Sequence, residues 1–527
     1  MTKKPLILHP FLFALGPVCF LLAHNVSEVA VSDALLPAGV VLVLAAVLLG
    51  LARLLFRSWE KAALVVSTLL FLFFTYGHLA GAILGWRVGG VLLGRPRNIL
   101  IAQAVVAIVV AVLVLRTRRS LRGLTSFLNF GAGIFVAISI VQIAVHASGQ
   151  RPTSSTDVAA VAEDIVLPPA PNPAPAPDIV YIILDSYGRA DILKEMYNYD
   201  NGAFLDYLRQ KGFYVADRSR SNYAYTGSSL ASSLNTCYLD KLVQQVGKRT
   251  RTITPLAAMI RGSRVTRALQ ERGYRFVAFA SGCTTTEMPD ADIYLRPGRS
   301  LNVFETGLLA MTPVPVVIDA LVGGNASYGY GSHRKRILYA FDHLKDVAEM
   351  KGPVFVFAHI IAPHQPFVFD EHGKPLTPEG PYSLNMTARQ RAHPEEYKGP
   401  YKQEMTFVNA KVREVIDALL AAPEPPIIIL QGDHGPGSRL HHGNVEQTDM
   451  RERFAILNAY YFPDGDYAAL YAGISPINTF RVILNKCFGA GLELLPDESY
   501  FTTSRHEYGY VNVTEAAKAP APPTQPE

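Results

Sequence analysis

Cysteine is scarce in this chain, with four residues in 527 and no pair at metal-binding spacing, so a cysteine-held zinc or iron–sulfur site is excluded. Long apolar runs are missing after about residue 150, and charged residues are sparse before it. No basic stripe with interleaved aromatics occurs, which argues against nucleic acid as a partner even though the net charge is +5. No internal repeat is present, and no small-residue cleavage site follows the first apolar run. That run begins with Lys3-Lys4 like a signal peptide, but four more of its kind follow, so it is expected to be retained.

What is there divides in two. Five runs approach the length of roughly 20 apolar residues that a membrane-crossing helix needs. They cover approximately Pro5–Leu22, Leu35–Phe56, Ala62–Trp86, Ile99–Leu115 and Leu124–Ala147. Lys3-Lys4, Arg57, Lys61, Arg116, Arg118, Arg119 and Arg122 fall on one side of such a bundle. Glu28 and Asp33 fall on the other, with Arg87, Arg95 and Arg97 as a contrary signal. Basic loops mark the cytoplasmic side, so the N-terminus is expected inside and everything after about residue 148 outside. An oxidising compartment permits one disulfide among Cys237, Cys283 and Cys487. Cys237–Cys283 is favoured, and the pairing stays open.

Residues 151–177 form a linker, rich in Pro and Ala from Leu167 to Pro177, that should be extended. The end from 511 to 527, Ala/Pro-rich from Ala516, is expected to be disordered. Between them, over 178–510, strand-like and helix-like segments alternate. Ile179–Leu184, Arg275–Ala280, Val354–Ala358 and Ile427–Leu430 read as buried strands. Asn201–Lys211, Ser263–Arg272, Ser332–Met350 and Tyr401–Leu420 read as helices. Such alternation predicts an α/β domain with a mainly parallel sheet between helices.

Ligands of parallel sheets gather beyond the carboxyl ends of the strands. There the sequence places Asp185 after the first strand and Gly432-Asp433-His434-Gly435 after the last. Either could be turn chemistry, since Asp and Gly serve backbones as well as metals. Thr226-Gly227-Ser228-Ser229-Leu230 opens a helix, where hydroxyls either cap the backbone or stand as nucleophiles at an anion-attracting terminus. His364, in Pro363-His364-Gln365-Pro366, lies on a rigid non-helical segment, and His441-His442 trails the Asp-His pair. Of two adjacent histidines, at most one is expected to face a site. Each feature alone is ordinary. Together they assemble polar residues in loops after strands, which core packing does not require.

These residues resemble the alkaline phosphatase superfamily, specifically its membrane-anchored sulfatase-like branch of lipoteichoic acid synthase and phosphoethanolamine transferase type. Gly432–Gly435, Pro363–Pro366 and Thr226–Leu230 carry the resemblance, together with the order of spans, linker and outer domain. It implies that Asp185, Thr226, Asp433 and His434 hold a divalent metal ion: zinc or manganese, with magnesium and calcium as the other candidates. Thr226 would also be the nucleophile, with His364 and His442 binding the transferred phosphate or moving protons. Two features separate this chain from sulfate-ester hydrolases. Ser186 stands where they carry a second Asp, and neither Cys237 nor Cys283 lies in the Cys/Ser-x-Pro-x-Arg context that formylglycine formation needs. The transferases in turn typically use Glu at the position of Asp185.

The resemblance implies a multi-pass protein of a bacterial cytoplasmic membrane with its catalytic domain outside. Its partners would be a phospholipid donor and a surface glycan or glycolipid acceptor. The transferred group would be phosphoglycerol or phosphoethanolamine, passed through Thr226. A hydrolase of phosphate esters with the same site, or a non-catalytic membrane-tethered scaffold, are the rival readings.

Overall fold

The structure is a computed structural model that describes residues 6–519 apart from 27–28, 30, 84–86, 89–90, 93–95, 150–164, 169–176, 251, 299–300, 323–328, 377–381, 387 and 504–506. Most of the Pro/Ala-rich linker thus lies outside the described residues. The chain divides into two units, Met1–Pro152 with Leu301–Gly331, and Thr153–Ser300 with Ser332–Glu527.

The first unit is built from five apolar helices, α1 (His9–Asn25), α2 (Val31–Phe56), α3 (Trp59–Ile83), α4 (Pro96–Arg116) and α5 (Arg122–Gly149). By length and composition α2 to α5 suffice to cross a membrane, while α1 has 17 residues and is shorter. Their shared core is thin: Ala14, Val18, Val41, Val66 and Phe74 are buried, but Leu54 is 76% exposed and Phe127 69%. A helix apolar all round with so little buried is what a lipid-covered span looks like. One buried polar pair lies between helices, with His9 Nδ1 2.6 Å from Ser67 Oγ. Asn129 of α5 closes the start of α1 by accepting from the His9 N–H at 2.7 Å and donating to the Leu6 carbonyl at 2.6 Å.

Two further helices belong to this unit although they come from the middle of the α/β sequence. Val303–Ala310 and Val314–Val322 fall in the segment 301–331, which groups with α1–α5 rather than with the sheet. Phe304 and Leu308 are buried in the same cluster as the α1–α3 residues. The stretch 178–510 is therefore interrupted.

The second unit is a seven-stranded sheet with helices. Its strands are β1 (Ile179–Leu184), β2 (Tyr214–Val215), β3 (Arg275–Phe279), β4 (Ile293–Leu295), β5 (Val354–Ile360), β6 (Ile427–Gln431) and β7 (Asn458–Tyr461), in the order β2-β7-β6-β1-β5-β3-β4. The ladders of β1 with β5 and β6, and of β3 with β4 and β5, are parallel, while β7 runs antiparallel to both its neighbours. β1 lies at the centre, and β1, β5 and β6 are buried along their whole length. Continuous apolar runs are what a doubly covered parallel sheet demands, which is why these strands were readable. The three short strands β2, β4 and β7 carried no such run. The helix expected from Tyr401 begins at Pro394 and runs through Pro400. Tyr397 and Tyr401, stacked with ring centroids 5.8 Å apart and both fully buried, hold its first turns together despite the lost N–H.

Two expectations are corrected. The chain end is ordered beyond 511: Val511–Asn512 pairs with Tyr500–Phe501, and Thr514–Lys518 is helical with Ala517 buried against Met450 and Phe454. That apolar contact outweighs the Ala/Pro composition as far as 518. No disulfide forms, and all four cysteines are free thiols. Cys237 follows the carboxyl end of the helix Thr226–Asn235, whereas Cys283 lies beside Thr285, which touches Gly227 at that helix's start. Ten residues of helix separate the two by about 15 Å, far outside the reach of a disulfide.

Candidate metal centre and nucleophile

Sheet register brings the two strand-end acids together. Ile179 pairs with Ile427 and Ile183 with Gln431, so Asp185 and Asp433 leave adjacent strands at equivalent positions. Ser186 between them adopts a left-handed φ of 64°, a conformation that costs roughly 1–2 kcal/mol for a non-glycine residue. The strained turn points the Ser186 N–H at Asp433 Oδ1 (3.1 Å) and lets its hydroxyl donate to Asp185 Oδ1 (3.2 Å). The glycines framing Asp433-His434 are required by close approach. A Cβ on Gly432 would stand 2.7 Å from the Tyr187 carbonyl, and one on Gly435 2.1 Å from that of Glu452.

Thr226 is the first residue of its helix, and no side chain caps that helix. Its hydroxyl is therefore not used for capping; Thr226 Oγ1 lies 3.2 Å from His434 Nε2. The neighbouring hydroxyls are engaged elsewhere: Ser228 donates to the Tyr225 carbonyl, and Ser229 to the Asp433 carbonyl at 2.7 Å. At the other end of the helix Arg264 donates to the Asn235 carbonyl and Arg481 twice to that of Thr236. Two cations at the negative end of the dipole leave the positive end facing Thr226.

His434 Nε2 lies 3.6 Å from Asp185 Oδ1 and 3.4 Å from Asp433 Oδ2. Asp185, Thr226, Asp433 and His434 thus converge on one point. A further residue joins them. His359, within β5, places Nε2 3.3 Å from Asp185 Oδ2, and its Nδ1 is 2.9 Å from Thr286 Oγ1. Asp185, His359 and Asp433 present ligand atoms that all lie within 4.8 Å of one another. Sequence reading passed over His359 because it looks like one more residue of a buried strand. The signal available was an ionisable residue in the middle of an otherwise apolar run.

The other predicted histidines stand close by. The His364 and His434 rings are 6.3 Å apart between centroids, and His442 stacks on Tyr225, the residue before Thr226, with Nδ1 3.3 Å from the phenol oxygen. His441 is exposed, so of that pair only His442 turns inward. Arg453 was also missed. This buried guanidinium donates through Nε to the Ala224 carbonyl (2.7 Å) and through Nη1 to the Gly435 carbonyl (3.1 Å), and lies over the Tyr225 ring. It joins the backbone beside Thr226 to the backbone beside His434. Among the described residues it forms no ion pair.

Electrostatics follow from burial. Burial pushes the Asp433 carboxyl up, and the charge of Asp185 adds to it, bringing it to about 7. For Asp185 burial also pushes upward, but His364, the hydrogen bond from His359 and His434 outweigh it and hold it below the usual carboxylate range. Burial and then Arg453 keep His434 neutral and bring His442 down to about 4.

The residues fit a divalent cation. Two carboxylates, a hydroxyl and imidazoles form a hard-to-borderline donor set. Asp433 Oδ2 is buried without a hydrogen-bond partner among the described residues. A buried carboxylate oxygen left unpaired is costly, and a cation at this point would satisfy it. Asp185, Thr226, Asp433 and His434, with His359 against them, are the residues able to hold one.

A mainly parallel sheet with acids and imidazoles at the ends of its central strands, and a hydroxyl at a helix start facing them, defines the alkaline phosphatase class. Residues 177–474, more than half of the chain, match the sulfatase family model. The chain belongs to the sulfatase family. Among solved structures it is similar to the C-terminal periplasmic domain of EcEptC from Escherichia coli (13% identity, 66% of this chain and 96% of that one, TM-score 0.42), which has also been solved in complex with Zn. The soluble domain of lipooligosaccharide phosphoethanolamine transferase A from Neisseria meningitidis is similar at 15% identity, 60% and 89% coverage and TM-score 0.39. A 2-O GAG sulfatase follows at 13% identity, 62% and 73% coverage and TM-score 0.38. No curated protein matches the chain.

Proposed function

We propose that the protein is a membrane-anchored, metal-dependent transferase that moves a phospholipid-derived headgroup, phosphoglycerol or phosphoethanolamine, through Thr226 to a surface glycan or glycolipid. The observation that carries this reading is the position of Thr226 Oγ1, at the start of its helix and 3.2 Å from His434 Nε2 beside two buried carboxylates. A divalent ion, zinc or manganese foremost, held by Asp185, Thr226, Asp433 and His434 would lower the hydroxyl's pKa and neutralise charge at phosphorus.

The chain's own groups do the rest. Thr226 Oγ forms a bond to phosphorus as the bond from phosphorus to the diacylglycerol oxygen breaks. One of His364 and His442 takes the Thr226 proton and gives it to the departing oxygen. An acceptor hydroxyl then attacks the phosphothreonine, and its proton passes through a histidine to the freed Thr226 oxygen. Helices apolar enough for a membrane support a lipid donor, since they confine enzyme and donor to one surface. The basic loops support a cytoplasmic N-terminus and an outer catalytic unit.

The test uses the full chain with a fluorescent phospholipid. Diacylglycerol release, abolished in Thr226→Ala, and a mass increment on Thr226 equal to the phospho-headgroup are expected. Release with water as the sole acceptor would make the protein a hydrolase. No release together with no bound metal would end both enzymatic readings.

A further inference from the structure

The segment 301–331 is not needed to complete the sheet, and it joins the first unit instead. Its first helix, Val303–Ala310, starts with a capping box in which Asn302 and Glu305 exchange hydrogen bonds. The turn after it is seated with little slack. Gly77 of α3 donates its N–H to the Met311 carbonyl at 2.9 Å, and a Cβ on Gly77 would stand 2.2 Å from the Ala310 carbonyl oxygen. Gly307 faces Leu21 near the end of α1, and Ala34 near the start of α2 shares the cluster. The end of α1, the start of α2 and the end of α3 form one face of the bundle. It is the face opposite Arg57 and Lys61.

Depth follows from helix geometry. Gly77 precedes the end of α3 at Ile83 by six residues, or about 9 Å of rise. The 25 residues of α3 span about 37 Å against a hydrocarbon core of about 30 Å, so some 4 Å projects at each end. The turn at Met311 then sits about 5 Å below the hydrocarbon boundary, within the depth reached by interfacial helices. The second helix, Val314–Val322, leaves Val317 43% and Leu321 80% exposed. Spaced four apart, they share a helix face, and Leu321 is as exposed as Leu54, at 76% on a span.

We propose that 303–322 is a helical hairpin set into the outer leaflet, with the Val317–Leu321 face covered by lipid acyl chains. This rests on the reading of α1–α5 as a membrane bundle. The test places single tryptophans in the full chain carrying Trp59→Phe and Trp86→Phe, reconstituted in phosphatidylcholine nanodiscs with or without doxyl-labelled lipid. Leu321→Trp and, independently, Val317→Trp should emit at short wavelength and be quenched by the lipid label as strongly as Phe127→Trp on α5. Leu494→Trp, exposed in the other unit, should be quenched by iodide instead. If both hairpin tryptophans behave like Leu494→Trp while Phe127→Trp stays lipid-quenched, the hairpin inference is overturned and the bundle reading stands. If Phe127→Trp also escapes the lipid label, the bundle reading itself fails.

Discussion

Two buried carboxylates in the second unit, Asp433 and Glu452, are equally hidden at 1% exposure and opposite in how they are satisfied. Glu452 accepts from the Tyr197 hydroxyl, the N–H and hydroxyl of Ser438 and the Arg439 N–H. Every need it has is met by the fold. Asp433 receives two N–H bonds on Oδ1 and no hydrogen bond on Oδ2, and a second acid lies beside it. Burial by itself therefore does not mark a functional residue. A carboxylate whose surroundings were left incomplete does. A third case, Glu404, also keeps an orphan oxygen, but no acid or imidazole is hydrogen-bonded to it and burial pushes it well up, so a proton satisfies it.

The largest contrast should come from replacing each acid. Asp433→Asn is expected to abolish metal binding and lower activity by about 10³-fold or more, while the metal-free protein unfolds no earlier than wild type. Its pH dependence gives the sign. The folded-state pKa of Asp433, about 7, is raised above the ordinary 3.8, so its contribution is complete below about pH 4 and is lost as pH rises through about 7. In chelator, wild type should lose thermal stability relative to D433N across that window. Parallel curves would refute the incomplete-site interpretation.

Glu452→Ala should do the reverse. It strands the buried Ser438 N–H, at a cost of roughly 1–3 kcal/mol, and denaturant titration should show the loss with or without metal. An unchanged midpoint would mean water replaces the carboxylate, and the contrast with Asp433 would weaken. The smallest effect expected is at Arg453, which touches neither reacting atom. Arg453→Met should cost 10–100-fold in metal affinity or kcat, the range for groups that orient ligands. Arg453→Lys, which keeps the charge but not the two-carbonyl bridge, should recover only part. Full recovery by lysine would assign Arg453 to charge rather than to positioning.

What could be read in advance sorts by distance along the chain. Asp185, Asp433-His434 and Thr226 announce themselves because each ends or begins an element whose pattern is local: an apolar run, then a polar break. The same locality makes the four long strands legible. His359 is hidden inside such a run. Arg453 reaches carbonyls 229 and 18 residues away, so no window of sequence contains its reason for being there. The helices at 303–322 are not among those read from the sequence, and the seat at Gly77 shows where they belong. The short edge strands β2 and β4 owe their existence to their neighbours.

That seat has a consequence for biosynthesis. The first unit is not complete when the ribosome finishes α5, because part of its core, Phe304 and Leu308, is encoded more than 150 residues later and after β1 to β4 of the second unit. The bundle therefore lacks these two core residues until the chain has been synthesised past Leu308. A truncated protein that starts after the linker would carry Val303–Val322 with nothing to dock on, and its yield should rise when that hairpin is deleted.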